Sequence, residues 1–198
     1  MIQENTPRME TERLILRRFA EDDIPAILDV FGDVEANRFL PWFPLKSLDE
    51  AAAFYRERFA AVYARPSGCM YAICFKGEDV PIGYIHADAD PPHDFGYALA
   101  TPYWHRGITT EAGRAVIERV RAAGWPFLTA THDVNNPRSG AVMRKLGMRY
   151  AYSYREHWMP KDISVVYRMY QINLDGQDGR VDRTYWERFP EHFVEEGI

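Results

Sequence analysis

The sequence predicts an α+β fold around a mixed sheet, in the order β-α-α-β-β-β-α-β-α-β-β. Two observations predict it. The apolar period alternates between about 3.6 residues and 2 along the chain, with Gly, Pro and Asn at the joins. Only one strand-helix-strand unit, around Gly107, requires parallel pairing; the other strands follow one another closely enough to pair antiparallel.

The elements follow in order. Leu14 and Leu16 alternate with polar neighbours such as Arg13 and Arg17, as in a half-buried strand. Ile24, Ile27, Leu28 and Phe31 fall at helical spacing, and Gly32 ends that helix. An aromatic loop runs from Phe39 to Pro44. Ser47 and Glu50 have the spacing of a capping box, opening a helix whose expected apolar face is Leu48, Ala52, Tyr55, Phe59 and Val62, stopped by Pro66. Met70 to Phe75, Pro81 to Ala87 and Phe95 to Ala100 read as an antiparallel meander. A loop from Thr101 to Gly107 leads to a helix burying Ala112, Val116 and Val120, with Gly124 as its stop. Phe127 to Val134 is a strand. Asn136 and Pro137 open a short helix as N-cap and first residue, and Gly147 ends it. Tyr150 to Trp158 and Ile163 to Ile172 finish as strands.

Composition bounds the class. With 198 residues, 46% hydrophobic, and 11 Phe, 12 Tyr and 5 Trp, the chain can bury one sizeable core. No apolar run approaches the ~20 residues that span a bilayer, and Met1 to Arg8 is too polar for a secretory signal. A cytoplasmic protein with no membrane partner is expected. The two cysteines, Cys69 and Cys74, sit in one strand at an odd separation and so point to opposite faces. The six histidines are scattered, so no metal is expected. Net charge is −5, of which −4 lies beyond Leu174. No basic stripe supports nucleic-acid binding. The last stretch, 174–198, is an acidic appendage holding Tyr185, Trp186, Phe189 and Phe193. The spacing of the last three suits a short helix that docks on its own domain or across a homodimer interface.

Two stretches carry chemistry. Trp104-His105-Arg106-Gly107-Ile108-Thr109-Thr110-Glu111-Ala112 passes from a loop into a helix. Unpaired backbone N–H groups and the dipole at a helix start favour an anion, and Gly107 lets a ligand approach the backbone. Arg106 adds charge; Thr109 and Thr110 add hydroxyls. An ordinary capped loop is the alternative. Asn136-Pro137-Arg138-Ser139, followed by Met143-Arg144-Lys145-Leu146-Gly147-Met148, also suits a plain capped helix.

Taken together, Tyr103 to Ala112 resembles the pyrophosphate motif of the GNAT superfamily in its RimJ/RimL-like branch, and Asn136 to Met148 resembles that branch's second motif. Glu10-Thr11-Glu12-Arg13-Leu14-Ile15-Leu16-Arg17 and Ile82-Gly83 are similar to it too. The resemblance covers roughly Met9 to Asn173. It implies a GNAT-like splayed central sheet with coenzyme A in a V-shaped cleft, and an N-acyltransferase carrying acetyl from acetyl-CoA to a primary amine. By matched position, backbone N–H groups from His105 through Thr110 meet the pyrophosphate, Leu99 offers its N–H to the thioester carbonyl, and Asn136 lies by the pantetheine. Family members usually carry Gly at the position of His105 and Ala or Gly at that of Thr109. The tyrosine many members use as an acid is replaced by Met143, and Ser139 can serve instead. Glu156 resembles a carboxylate that family members turn toward the acceptor. Asp94 is the second candidate base. Each has a plain alternative: Glu156 paired with Arg155 or another cation, Asp94 as a turn residue, Ser139 as a first-turn helix serine.

The acceptor is expected to be a small-molecule or peptide amine, met by the loop Phe39 to Pro44 and the hairpin Met159 to Asp162. Phe39, Trp42, Phe43 and Trp158 either face it or pack in the core. A different class of function on the same fold is an acyl-CoA sensor that binds without turnover; an oligomeric scaffold is a third.

Overall fold

The computed structural model describes residues 5–198; residues 1–4, part of the polar start, lie outside the described residues. Strands β1 (Met9–Glu10), β2 (Leu14–Arg17), β3 (Cys69–Phe75), β4 (Pro81–Ala87) and β5 (Phe95–Leu99) form one antiparallel sheet in that order. Strands β6 (Phe127–Asp133), β7 (Arg149–Trp158), β8 (Ile163–Asn173) and β9 (His192–Phe193) form a second, ordered β6-β8-β7-β9. The two meet through a single parallel bridge, Asp94 with Thr129. Among the described residues the sheet is thus mixed only at that point, and it splays from there.

Side-chain alternation sends apolar residues to both faces of the first sheet. Leu14, Leu16, Tyr71, Ile73, Ile85 and Leu99 pack under α4 (Ile108–Ala122) and α5 (Pro137–Lys145). Ile15, Ala72, Cys74 and Tyr84 pack under α1 (Ile24–Gly32) and α2 (Leu48–Phe54). Cys69 belongs to the first cluster and Cys74 to the second, both as free thiols. Among the described residues no helix is long and apolar enough to cross a membrane.

Two expectations about the second helix need correction. Helix α2 continues through a π segment, Tyr55–Ala60, into α3 (Ala61–Tyr63). The wider turn carries the buried stripe from Ala51, Phe54 and Tyr55 on to Phe59 and Tyr63, and Leu48, in the first turn ahead of it, is 53% exposed. The capping box is also offset. Ser47 Oγ accepts the Glu50 N–H at 3.2 Å, but the Glu50 carboxylate accepts the N–H of Lys46, one residue outside the cap.

The C-terminal stretch lies against β7. Tyr185 and Phe189 stack on Tyr154 at 5.1 and 4.7 Å, and Trp186 meets Tyr152 edge-on at 5.4 Å. The predicted helix over Trp186, Phe189 and Phe193 is shorter than its spacing suggests. Helix α6 covers only Thr184–Arg188. Phe189 precedes Pro190 and is extended, as that neighbour demands, so Phe193 falls in β9 instead, paired with Ser153.

Candidate active site

The cleft begins where β5 and β6 part. The Thr129 N–H donates to the His93 carbonyl at 3.2 Å, beside the bridge. Beyond it, among the described residues, the backbone ladder of β5 runs to β4 alone. The Ala100 N–H donates to the Ile82 carbonyl at 3.0 Å, and backbone direction alternates along an antiparallel strand. The Leu99 N–H therefore points away from β4, into the gap. The Leu99 carbonyl accepts the indole N–H of Trp104 at 2.8 Å, which fixes the strand end beside the next loop. A cavity of about 1090 Å³ opens here, bounded by β4, β5, the loop at Gly107, the start of α5, and the aromatic loop with α2.

The loop before α4 needs unusual backbone. Gly107, its N-cap, has φ +74°, and His105 has φ +61°. Only glycine adopts that region freely, so a histidine at position 105 carries a strain that glycine would not. Here His105 holds the conformation with an exposed side chain. Ile108 turns its side chain into the core, so only its backbone can face the cavity. Thr109 and Thr110 line the cavity half-buried.

The opening motif buttresses this loop. Glu111, in the first turn of α4, accepts the Thr11 hydroxyl at 2.5 Å, the Arg13 N–H at 2.9 Å and the Arg13 Nε at 2.7 Å. Arg13 Nη1 also donates to the Arg106 carbonyl at 3.1 Å. Burial alone would raise the Glu111 pKa; Thr11 and Arg13 reverse that and hold it below the usual range. The Arg106 guanidinium lies over Phe75 at 5.2 Å, and Arg138 lies over Trp104 at 5.4 Å. Both arginines line the cavity and lie beside the unpaired helix-start donors.

Gly107→Val should test the loop. A β-branched residue at φ +74° is strained, although a Cβ there would meet only Arg13 Nη2, at 3.7 Å. The fold should survive, while acetyl-CoA binding should weaken about tenfold or more, the equivalent of ~1.4 kcal/mol of lost loop geometry. Calorimetry reporting wild-type affinity in the folded variant would reject this role.

At the other wall, the Asn136 side chain accepts the Ser139 N–H at 3.3 Å, capping α5. The Tyr97 hydroxyl reaches across from β5, donating to the Ser139 carbonyl at 2.8 Å and lying 3.1 Å from Ser139 Oγ. Burial pushes the Tyr97 phenol well above its ordinary pKa, so it stays protonated. Sequence reasoning passed over Tyr97 because an aromatic in a strand reads as core. Met143 is buried, consistent with no acid at that position.

On the α1–α2 side lie Tyr84, His86, Asp88, Asp94 and Gly96, with Phe39, Trp42 and Phe54 farther out. One Asp94 oxygen is buried with no hydrogen-bond partner, and burial raises its pKa, with Asp88 adding to the shift and His86 opposing it. Ten of the predicted site residues thus line one cavity: Asp94, Leu99, His105, Arg106, Gly107, Ile108, Thr109, Thr110, Asn136 and Ser139. Glu156 does not. It stands on β7, and β8 separates that strand from β6 and the cleft. Burial raises its pKa, opposed by Arg188, while Arg155 pairs instead with Glu191 at 2.8 Å. Of the expected acceptor aromatics, Phe39 and Trp42 line the cavity. Phe43 is 56% exposed outside it, and Trp158 is core, 5.6 Å from Tyr167. The loop and hairpin do meet: Lys161 Nζ donates to the Asn37 carbonyl at 3.2 Å.

The family model described as "Acetyltransferase (GNAT) domain" matches residues 13–149. The uncharacterised N-acetyltransferase YoaA of Bacillus subtilis is 28% identical over 148 residues, 72% of this chain and 83% of that protein. Among solved structures, the ribosomal L7/L12 alpha-N-protein acetyltransferase RimL, in complex with coenzyme A, superposes with a TM-score of 0.75 at 19% identity, over 86% of this chain and all of that one. The microcin C7 self-immunity acetyltransferase MccE, in complex with acetyl-CoA and AMP, gives 0.71 at 14% identity, over 82% and 93%. Those two likenesses are of fold. The sequence match, by contrast, runs from the strand that buttresses the Gly107 loop through the helix that carries Ser139, and on it the chain belongs to the GNAT acetyltransferases, as an acyl-CoA-dependent N-acetyltransferase.

Proposed function

We propose that this chain acetylates a small-molecule or peptide primary amine by direct attack on acetyl-CoA in a ternary complex. The observation that carries the reading is the pairing, across one cleft, of a strand-end N–H free of β4 with a tyrosine-held serine. The Leu99 N–H is the donor for the oxyanion that forms when the thioester carbonyl is attacked. The backbone from His105 through Thr110, with Arg106, takes the pyrophosphate, and Asn136 borders the pantetheine. Ser139, oriented by the Tyr97 hydroxyl, passes a proton to the departing sulfur. Asp94 faces the acceptor and is favoured over Glu156, because it lines the cavity and Glu156 does not. A protein amino terminus is one acceptor this reading admits, since RimL, named for such an activity, shares the fold.

A screen of primary amines for release of free CoA thiol tests the reading. Binding of acetyl-CoA without turnover of any amine would favour the sensor instead. With an amine in hand, Ser139→Ala should lower kcat about tenfold or more and leave the acetyl-CoA Kd unchanged, since general acids typically contribute ~10²-fold or more and water can substitute in part. Equal losses in kcat and in binding would make Ser139 a positioning group only.

A further inference from the structure

We propose that His86 is the proton acceptor of the acceptor subsite, that Asp88 orients it, and that this subsite takes a cationic primary amine beside Asp94. The proposal rests on the acetyl-transfer reading above. His86 lies in β4, directly opposite Gly96 of β5. A Cβ built on Gly96 would come within 2.3 Å of His86 Nε2 and 3.0 Å of its Cδ2, so the imidazole lies across the space that glycine leaves. Nδ1 is buried with no hydrogen bond and stands 3.8 Å from Asp88 Oδ1. Nε2 is on the Gly96 side of the ring, and His86, Asp88, Asp94 and Gly96 all line the cavity. The Asp94 oxygen without a partner is on the same face, one register step away. With Nδ1 turned to Asp88, the unpartnered Asp94 oxygen is the polar atom that a bound ammonium would satisfy.

The surrounding charge favours an ammonium. Asp88 and Asp94 act on His86 from its own sheet, and their attraction outweighs burial, so the imidazole pKa is raised. Tyr84 stacks beside the ring at 6.1 Å. Arg58 and Arg65, from the π segment and the turn after α3, act on Tyr84 and Asp88, and Tyr185 of α6 acts on Asp94. The acceptor arrives as R–NH₃⁺. His86 Nε2 takes one proton, and the freed lone pair forms the C–N bond at the thioester carbonyl. The C–S bond breaks, and the sulfur leaves with its electron pair. The second proton lost by that nitrogen reaches the sulfur through the Ser139 hydroxyl, and the imidazolium returns the first to solvent.

His86 works only when neutral. Because its pKa is raised, kcat/KM should fall as pH drops through a value above the ordinary histidine range. The experiment measures thiol release from acetyl-CoA between pH 5.5 and 9 with two probes, spermidine and a peptide with a free amino terminus; the arm that turns over identifies the source of the ammonium. His86→Gln should lower kcat/KM about 100-fold, the general scale of a lost general base, and abolish the acidic limb. Asp88→Asn, a change at an exposed side chain, should keep the fold and move the limb to lower pH. Wild-type pH profiles in both variants overturn the role of His86 and leave acetyl transfer standing. If the wild type binds acetyl-CoA but releases no thiol with either probe or with any amine of the wider screen, acetyl transfer falls, and the role of His86 with it.

Discussion

Replacing Gly83 with alanine is expected to destabilise the protein and to cripple acetyl transfer together. A Cβ at Gly83 would stand 2.3 Å from the Ala98 carbonyl oxygen, 2.5 Å from Leu99 Cδ2 and 2.9 Å from Leu99 Cα. Two of these atoms are backbone, so relief requires β5 to move rather than a side chain to turn. Overpacking of this kind costs about 1–3 kcal/mol or more. In a chain of this size that lowers Tm by roughly 2–4 °C per kcal/mol. The part of β5 displaced is the part that presents the Leu99 N–H. If that group stabilises the oxyanion, kcat should fall toward the ~10²-fold expected for a lost oxyanion donor. Gly179→Ala is the control, because a Cβ there meets nothing within 4 Å and its φ is ordinary. Thermal unfolding and steady-state rates decide the matter. Wild-type Tm and kcat in Gly83→Ala would mean that β4 and β5 tolerate a wider spacing and that Leu99 is not held by it.

The same residue shows what the sequence could and could not disclose. Ile82-Gly83 was recognisable as a pattern, but the reason for the glycine is a close approach of two backbones that only coordinates reveal. Helices with a steady period were legible because burial on one face imposes that period, as in α4, whereas β4, buried on both faces, was legible from its turn-bounded apolar run. The π segment was not, since one extra residue in a helical turn leaves no mark in composition. The gathering of the two motifs at one cavity was legible because both sit at chain turns beside the same gap. His86 was not: a lone histidine in a strand reads as a core or solvated residue. The available signal was its place opposite Gly96, which requires knowing the register of β4 and β5. Glu156 stands outside the cavity for a topological reason. Its strand follows α5 in sequence, but β8 inserts between β7 and β6, and adjacency in sequence does not predict that insertion.

A chain ending at Asn173 is expected to lose stability and solubility. We propose that 174–198 is an appendage to a catalytic domain spanning 9–173, and this truncation probes how far the domain depends on it. Removing the appendage strips Tyr185, Trp186 and Phe189 from Tyr152 and Tyr154. Three half-buried rings contribute on the order of 3–5 kcal/mol, scaled down from about 1.5–3 kcal/mol for each fully buried one. At roughly 2–4 °C per kcal/mol, Tm should fall on the order of 10 °C. Loss of β9 also opens the edge of β7, an unpaired strand that invites association. Glu195 adds a pH signature. It accepts Arg168 Nη2 at 2.6 Å, Arg168 Nε at 2.9 Å and the Ser153 hydroxyl at 2.5 Å. Arg168, chiefly through its hydrogen bonds, holds the Glu195 carboxyl below its usual pKa. A carboxylate whose folded pKa is depressed stabilises the fold above its unfolded pKa and stops doing so as pH falls through the folded one. The stability gap between full-length and truncated chains should therefore be widest near neutral pH and narrow below about pH 4.5. Melting curves of both chains across pH, with light scattering for association, test this. Equal Tm and equal mass in solution at every pH would show that the packed rings and the Arg168–Glu195 pair contribute nothing to the fold.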